Sequence, residues 1–344
     1  MTGRRNIYYW KSDRTNAAEN TRKTADSSVD LIIEQVSDYL RDQFKNGLLR
    51  VEPAGGEGNH ITLIAKYRDG DYFIRLENGP EKDNYMAVES HVMAMVSDLG
   101  IPCPKIHLTD VSRSTVPFAI QVMELVEYAD LNKQAKKGKL DAASIAFEIG
   151  KYIAQWQKIT PEGFGLFDID ALTKDGRLRG YHELYSDYFM LNFDCHLEFL
   201  VREAFLSAQQ RERIQSVVRD YESLLNLNRG CLVHKDLAFW NILGDANRIS
   251  AFIDWDDAIS GDPTDDLSLL ACFHPGNVVS AATDGYLTIP PSPDDFAPRF
   301  WLHLLRNMLF KAVIRVRGNY FDMPGDFFMN NGGNNHLRQF TLER

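Results

Sequence analysis

Between Cys231 and Leu243 the chain reads Cys-Leu-Val-His-Lys-Asp-Leu-Ala-Phe-Trp-Asn-Ile-Leu, which sets His234, Asp236 and Asn241 in the spacing His-x-Asp-x-x-x-x-Asn. A second short apolar run, Ile249 to Ile253, follows closely and ends on Asp254. Apolar, strand-like residues flank the loop on both sides, so two strands would present carboxylate and amide oxygens at one mouth. Phosphoryl transfer requires such a mouth. A triphosphate is a dense anion, and the magnesium ions that neutralise it need hard oxygen ligands at short range. Asn241 and Asp254 are the expected metal ligands, for two magnesium ions. Asp236 is close enough in sequence to face the same metal-nucleotide complex, which leaves its carboxylate to orient and deprotonate an incoming hydroxyl as general base. A lone Asp usually caps a helix or sits on the surface; the set at this spacing argues for a site. His234 is expected to brace the loop.

Elements must position these groups, and the spacing of apolar residues predicts them. Residues 1–27 are polar and aperiodic apart from Ile7-Tyr-Tyr-Trp10, and are expected to form a loose arm anchored by those aromatics. From Ser28, the series Ile32, Val36, Leu40 and Phe44 predicts an amphipathic helix ending near Gly47. His60 to Tyr67 and Tyr72 to Leu76 predict a hairpin turning at Asp69-Gly70. Asp83 to Gly100 predicts a helix with Asp83 as N-cap. Strands are expected near Lys105 to Leu108 and Phe118 to Val126. The first lobe therefore spans 28–126, a polar Lys-rich linker 127–140, and a mainly helical second lobe 141–344. In that lobe helices are expected over Asp141 to Lys158 and near 182–205, 208–226 and 297–316.

The pair Val-His-Lys-Asp-Leu-Ala-Phe-Trp-Asn-Ile-Leu and Phe-Ile-Asp-Trp-Asp-Asp-Ala-Ile-Ser-Gly-Asp-Pro-Thr-Asp-Asp-Leu resembles the aminoglycoside phosphotransferase family, which also contains kinases of choline-like, homoserine-like and other small alcohols. The resemblance implies an α+β fold of the protein-kinase-like, two-lobed kind, with a small antiparallel-sheet N-terminal lobe and a mainly helical C-terminal lobe. It implies Asp236 as catalytic base, Asn241 and Asp254 as metal holders, and ATP or GTP as donor. The nucleotide grip would lie in the first half. There Gly55, Gly56, Gly58 and Asn59 form a turn able to fold backbone amides over phosphates. Arg75 stands where protein kinases carry a phosphate-binding lysine, and its planar fork suits phosphate oxygens. Glu89 is the acidic partner that would hold it. Glu124 and Val126, in the segment from Gln121 to Val126, resemble the hinge that meets a purine.

Trp255-Asp256 stands where a protein kinase has Phe-Gly, and no activation segment follows, so a polypeptide acceptor is not expected. Asp266 is expected to hydrogen-bond the catalytic-loop backbone, and Asp262 or Asp265 to cap the next helix. Asp256, Tyr185 and Glu198 are candidate substrate contacts, the last two in an aromatic, acidic stretch that would suit a ring-bearing or cationic alcohol. A net charge of −10 disfavours a general nucleic-acid binder. The four cysteines, Cys103, Cys195, Cys231 and Cys272, form no CxxC pair and fit reduced thiols. With no long apolar run and no signal-like start, a cytoplasmic protein without membrane partners is expected. A small-molecule kinase is thus the leading reading. A catalytically inactive nucleotide-binding relative and a protein kinase are the alternatives.

Overall fold

The computed structural model describes residues 3–13, 26–44, 47–55, 60–79 and 82–318. The first lobe is an antiparallel sheet of β1 (Leu48–Pro53), β2 (Ile61–Tyr67), β3 (Gly70–Glu77), β4 (Ile106–Asp110) and β5 (Ala119–Glu124), in the order β1-β2-β3-β5-β4. In the β2/β3 hairpin Tyr67 pairs with Gly70, so the turn is Arg68-Asp69 and Gly70 opens β3 at φ +144°. Helix α2 (Asp26–Phe44) lays Ile32, Val36, Tyr39 and Leu40 on one sheet face, against Leu63, Ala65, Ile74 and Val122. That is the stripe its apolar spacing requires. Helix α3 (Met86–Asp98) turns Val88, Val92, Met93 and Val96 to the main core. Asp83 is not its N-cap. Tyr85 holds that position without a side-chain bond, while the Asp83 carboxylate pairs with Arg4 at 2.5 Å.

The stretch expected as a linker contains a helix, α4 (Leu131–Lys136), because Asp130 accepts from the Lys133 amide at 2.8 Å and Leu131 is buried. The second lobe continues with α5 (Ala142–Trp156), β6 (Phe164–Phe167), α6 (Ile169–Asp175), β7 (Gly180–His182), α7 (Tyr185–Phe189), α8 (Phe193–Arg202) and α9 (Ala208–Asp220). The single helix expected near 182–205 is broken. Asn192 takes a left-handed φ of +54° between α7 and α8. After α9 come β8 (Cys231–Val233), β9 (Ile242–Gly244), β10 (Ile249–Phe252), β11 (Ile259–Gly261), α10 (Asp265–Ala271), α11 (Gly276–Leu287) and α12 (Phe296–Gly318). β8 and β6 flank β11, while β9 and β10 form a hairpin. Helices α5 and α11 approach so closely that a Cβ on Gly150 would lie 1.8 Å from the Ala282 carbonyl, and one on Gly285 1.9 Å from that of Phe147.

The aromatic run expected to anchor the N-terminal arm does so, and more deeply than an anchor requires. Ile7, Tyr8 and Tyr9 are buried in the second-lobe core. Tyr8 stacks on Tyr188 with centroids 5.0 Å apart, under the Arg306 guanidinium 3.6 Å above its ring. Short helix α1 (Trp10–Asp13) ends on Asp13, whose carboxylate meets His196 at 2.7 Å and the Tyr8 amide at 2.6 Å. Over these residues the arm is core.

Candidate active site

β8 delivers the chain to the loop beginning at His234, and Asp266 fixes that loop from beneath. One carboxylate oxygen of Asp266 accepts from the His234 amide at 3.0 Å and from Trp156 Nε1 at 3.1 Å, and the other accepts from the Lys235 amide at 3.1 Å. Lys235 holds φ +66°, an unusual conformation for a side-chain-bearing residue. Its ammonium is correspondingly tied down, to Asp265 at 2.7 Å, Tyr8 at 3.0 Å and Asn307 at 3.1 Å. His234 Nε2 lies 3.0 Å from the Ile253 carbonyl, and burial pulls the imidazole below its ordinary pKa. It is a neutral brace between the loop and β10. Neither Asp262 nor Asp265 caps α10: Thr264 is at the N-cap without a side-chain bond, Asp262 accepts from Thr264, and Asp265 is taken by Lys235.

Asp236 is buried, and both its oxygens are engaged. Oδ2 accepts from Asn241 Nδ2 at 3.1 Å, and the same amide reaches the Asp236 carbonyl at 2.8 Å. Oδ1 accepts from Lys311 Nζ at 2.9 Å and from the Tyr9 hydroxyl at 2.8 Å. Burial works to raise this carboxyl, but the charges of Lys311 and then Lys11 outweigh it and hold it below the ordinary carboxylate value. Asp236 is therefore an oriented anion.

β10 ends just before Asp254, which turns at φ +67° and faces Arg75 of β3 across the cleft, with 3.5 Å between Nη2 and Oδ1. Asp256 Oδ2 is 3.6 Å from the same nitrogen and 3.3 Å from His60 Nε2. Burial, reinforced by the charge of Asp256, pushes Asp254 up to about 6. Burial followed by the charges of Asp256 and Asp236 raises Asp257 well above the usual range. Four carboxylates thus share one region. A divalent cation would relieve their repulsion, and their oxygens are of the hard type magnesium takes. Among the described residues no three acidic, His or Cys side chains converge closely enough to hold a metal by themselves. Phosphate oxygens and water would have to complete the shell, as is usual for magnesium.

Arg75 bonds through Nη1 to Glu89 on the first turn of α3, and both side chains are buried. Burial pushes Glu89 up to about 7 even though the guanidinium acts in the opposite direction. Arg75 Nη2 is a buried donor that makes no hydrogen bond among the described residues, with Asp254 and Asp256 only at ion-pair distance. A phosphate oxygen would satisfy it. Gly55 adopts φ +70° beside the β1 end, whereas Gly56, Gly58 and Asn59 lie outside the described residues. Glu124 and Val126 line an open cavity of about 780 Å³ with Pro102, Tyr152 and Arg248. Two proposed substrate contacts are not brought to the cleft. Tyr185 is in the core, its hydroxyl 2.8 Å from His303 Nε2, and Glu198 lies on the exposed face of α8. The aromatics of this stretch pack inward because α7 and α8 cover the core. The sequence reading missed Tyr9, Lys11, His60, Asp257 and Lys311. Lys311 had a signal, since it is the one charged residue in the apolar run from Met308 to Ile314, one turn after Asn307.

A five-stranded antiparallel lobe on a mainly helical one, with the Asp236 loop and the Asp254 strand end at their junction, defines a protein-kinase-like phosphotransferase fold. The sequence profile of the phosphotransferase enzyme family matches residues 51–297, and the chain belongs to that family. Among solved structures it resembles the apo form of a thermostable mutant of aminoglycoside phosphotransferase APH(4)-Ia, with 14% identity, 89% of this chain and 99% of that chain covered, and a TM-score of 0.62. A further thermostable mutant of that enzyme, in ternary complex with ADP and hygromycin B, gives a TM-score of 0.63 at 15% identity, over 89% of this chain and 98% of that one. Macrolide 2'-phosphotransferase MphH from Brachybacterium faecium gives 0.56 at 18% identity, over 88% and 99%. Sequence comparison with curated proteins gives no match. Among the described residues no helix is long and apolar enough to cross a membrane.

Proposed function

We propose that this chain is a small-molecule kinase that transfers the γ-phosphoryl group of ATP or GTP to a hydroxyl of an aminoglycoside-like or other small alcohol. The observation that carries the reading is the cleft itself: Arg75 Nη2, a buried donor that makes no hydrogen bond among the described residues, stands at ion-pair distances of 3.5 Å and 3.6 Å from Asp254 and Asp256, which lie close in sequence to the Asp236–Asn241 pair. Magnesium held by Asn241 and Asp254 would supply charge neutralisation of the triphosphate. Arg75, held by Glu89, clamps phosphate oxygens. The backbone at Glu124 and Val126 meets the purine. Asp236 orients the acceptor oxygen and accepts its proton late in the transfer, when the oxygen has become acidic. Positioning and neutralisation provide most of the acceleration. The family relatives that act on aminoglycosides and macrolides support a small polyhydroxylated acceptor. A cytoplasmic setting, where nucleotides and reduced thiols coexist, belongs to this reading.

The test is a nucleotide-consumption screen over hydroxylated small molecules, run separately with magnesium-ATP and magnesium-GTP. An acceptor that raises consumption in the wild type, with turnover reduced at least about a hundredfold in Asp236→Ala, is the expected result. Equal turnover in Asp236→Ala would remove the assignment of the base.

A further inference from the structure

The group on Asp236 that an acceptor would be is already there, and it belongs to the chain. Tyr9 donates its hydroxyl to Asp236 Oδ1 at 2.8 Å, across 227 residues of sequence. A general base must lie within hydrogen-bond reach of the proton it abstracts, and this is the one hydroxyl that meets that condition among the described residues. The other two partners of the carboxylate, Asn241 and Lys311, are nitrogen donors. Lys311 Nζ also stands 3.2 Å from the Tyr9 oxygen, so a cation is in place for charge developing on it. The phenol is held there firmly. Its ring stacks on Phe310 with centroids 4.3 Å apart, Ser12 bonds back to the Tyr9 carbonyl at 3.0 Å, and the next turn is pinned by Asp13 on His196. Two residues further along the chain, Lys11 brings an ammonium into the field of Asp236, Asp254, Asp256 and Asp257.

We propose that Tyr9 is an intramolecular acceptor: the chain phosphorylates its own Tyr9 from a magnesium-bound nucleoside triphosphate. The inference rests on the small-molecule kinase reading for its donor. In the step, the Tyr9 oxygen attacks the γ-phosphorus, the new O–P bond forms as the bond to the bridging β,γ oxygen breaks, and the nucleoside diphosphate leaves with that electron pair. The phenolic proton passes to Asp236 and then to solvent. The product places a phosphate dianion in the field of Asp236, Asp256 and Asp257, with the Lys311 ammonium as its cationic partner. A small-molecule acceptor must therefore take over the contact Tyr9 makes with Asp236.

The experiment uses the full chain incubated with magnesium and either ATP or GTP, read by intact-protein mass spectrometry and by fragmentation to locate the phosphate. The expected result is a single phosphoryl group on Tyr9, formed at a first-order rate that does not change with protein concentration. It is lost in Tyr9→Phe, which keeps the buried ring, and in Asp236→Asn. A magnesium- and nucleotide-dependent rise in melting temperature, measured in parallel, separates the possible failures. A rise without phosphate on Tyr9 overturns the proposal, making Tyr9 a fixed partner of Asp236, and leaves the small-molecule kinase reading intact. A rate proportional to protein concentration overturns transfer in cis. No rise and no phosphate removes both readings together.

Discussion

The Arg75–Glu89 pair can be tested by a double-mutant cycle whose size follows from the geometry. Arg75 faces Glu89 through Nη1, and its other terminal nitrogen lies 3.5 Å from Asp254 and 3.6 Å from Asp256. Two unit charges at that separation interact by roughly 5 kcal/mol at an effective dielectric of 20, before the cost of burying them is subtracted. Glu89→Gln keeps the volume and an acceptor oxygen, and the guanidinium retains two carboxylates, so it is not left stranded. The expected loss in nucleotide kcat/KM is about 1–2 kcal/mol, roughly tenfold, from loosened positioning. Arg75→Met deletes the charge that offsets three carboxylates and should cost about 3 kcal/mol, mostly through the nucleotide KM. In the double variant Glu89 has nothing left to hold, and burial has already raised it to about 7, so it can discharge by taking a proton. The double loss should then match Arg75→Met alone. The assay is steady-state consumption of magnesium-nucleotide with a saturating acceptor, with folded fraction normalised by chemical denaturation. Losses that add within about 0.5 kcal/mol would show that Glu89 does not act through Arg75, and the reasoning would fail.

Three further outcomes follow from single sites. Asp254→Ala should abolish the magnesium-dependent part of nucleotide binding, and an unchanged magnesium titration would make this strand end purely structural. Gly150→Ala and Gly285→Ala each force a methyl into a facing carbonyl at 1.8 Å or 1.9 Å, so each should lower stability in urea by about 3 kcal/mol or more; a loss under about 1 kcal/mol would mean the helices separate easily. His274 packs at a tilt of 38° against Phe239, with 4.0 Å between centroids, and burial alone pulls it down to about 4. Because its folded pKa is depressed, the stability it contributes is complete above about pH 6.5 and falls by up to about 1.4 kcal/mol per unit as pH drops toward 4. Relative to His274→Gln, the wild type should lose stability over that window, and a constant difference would contradict the buried neutral imidazole.

What the sequence discloses here depends on how local the determining interactions are. The α2 stripe of Ile32, Val36 and Leu40 and the β2/β3 hairpin are set by periodicity and turn chemistry within a few residues, and both form where the pattern puts them, with the hairpin turn one residue earlier than expected. The α4 helix inside the expected linker has a local signal too, since Asp130 three residues before Lys133 is a helix start. The break at Asn192 is a single left-handed residue, which apolar periodicity does not register. Asp83 illustrates competition: as a short acidic side chain before an apolar run it has the features of a cap, but Arg4 from the arm takes its carboxylate. For Tyr185, composition suggested a binding wall; burial of a large aromatic with its hydroxyl on His303 accounts for the same residue.

The cleft shows the opposite limit. Its acidic residues cluster in one stretch of sequence and can be read together, but the cations that balance them come from elements spread along the chain: Lys11 from α1, Arg75 from β3 and Lys311 from α12. The contact between Lys311 and Tyr9 spans 302 residues. No periodicity reports such a pairing, because each cation satisfies its own helix or strand equally well without it. A carboxylate set this dense cannot remain ionised in a buried cleft unless positive charge is supplied, so four clustered aspartates imply cations from distant parts of the chain on electrostatic grounds alone. Looking for them is a search for lysine or arginine on otherwise apolar faces. Lys311 stands alone among apolar sequence neighbours from Met308 to Ile314 on α12, and Lys11 follows directly on the only aromatic run of the polar arm. Electrostatics and packing agree over residues 7–11: the Lys11 ammonium lies in the field of the carboxylates, and the burial of Ile7, Tyr8 and Tyr9 keeps it there.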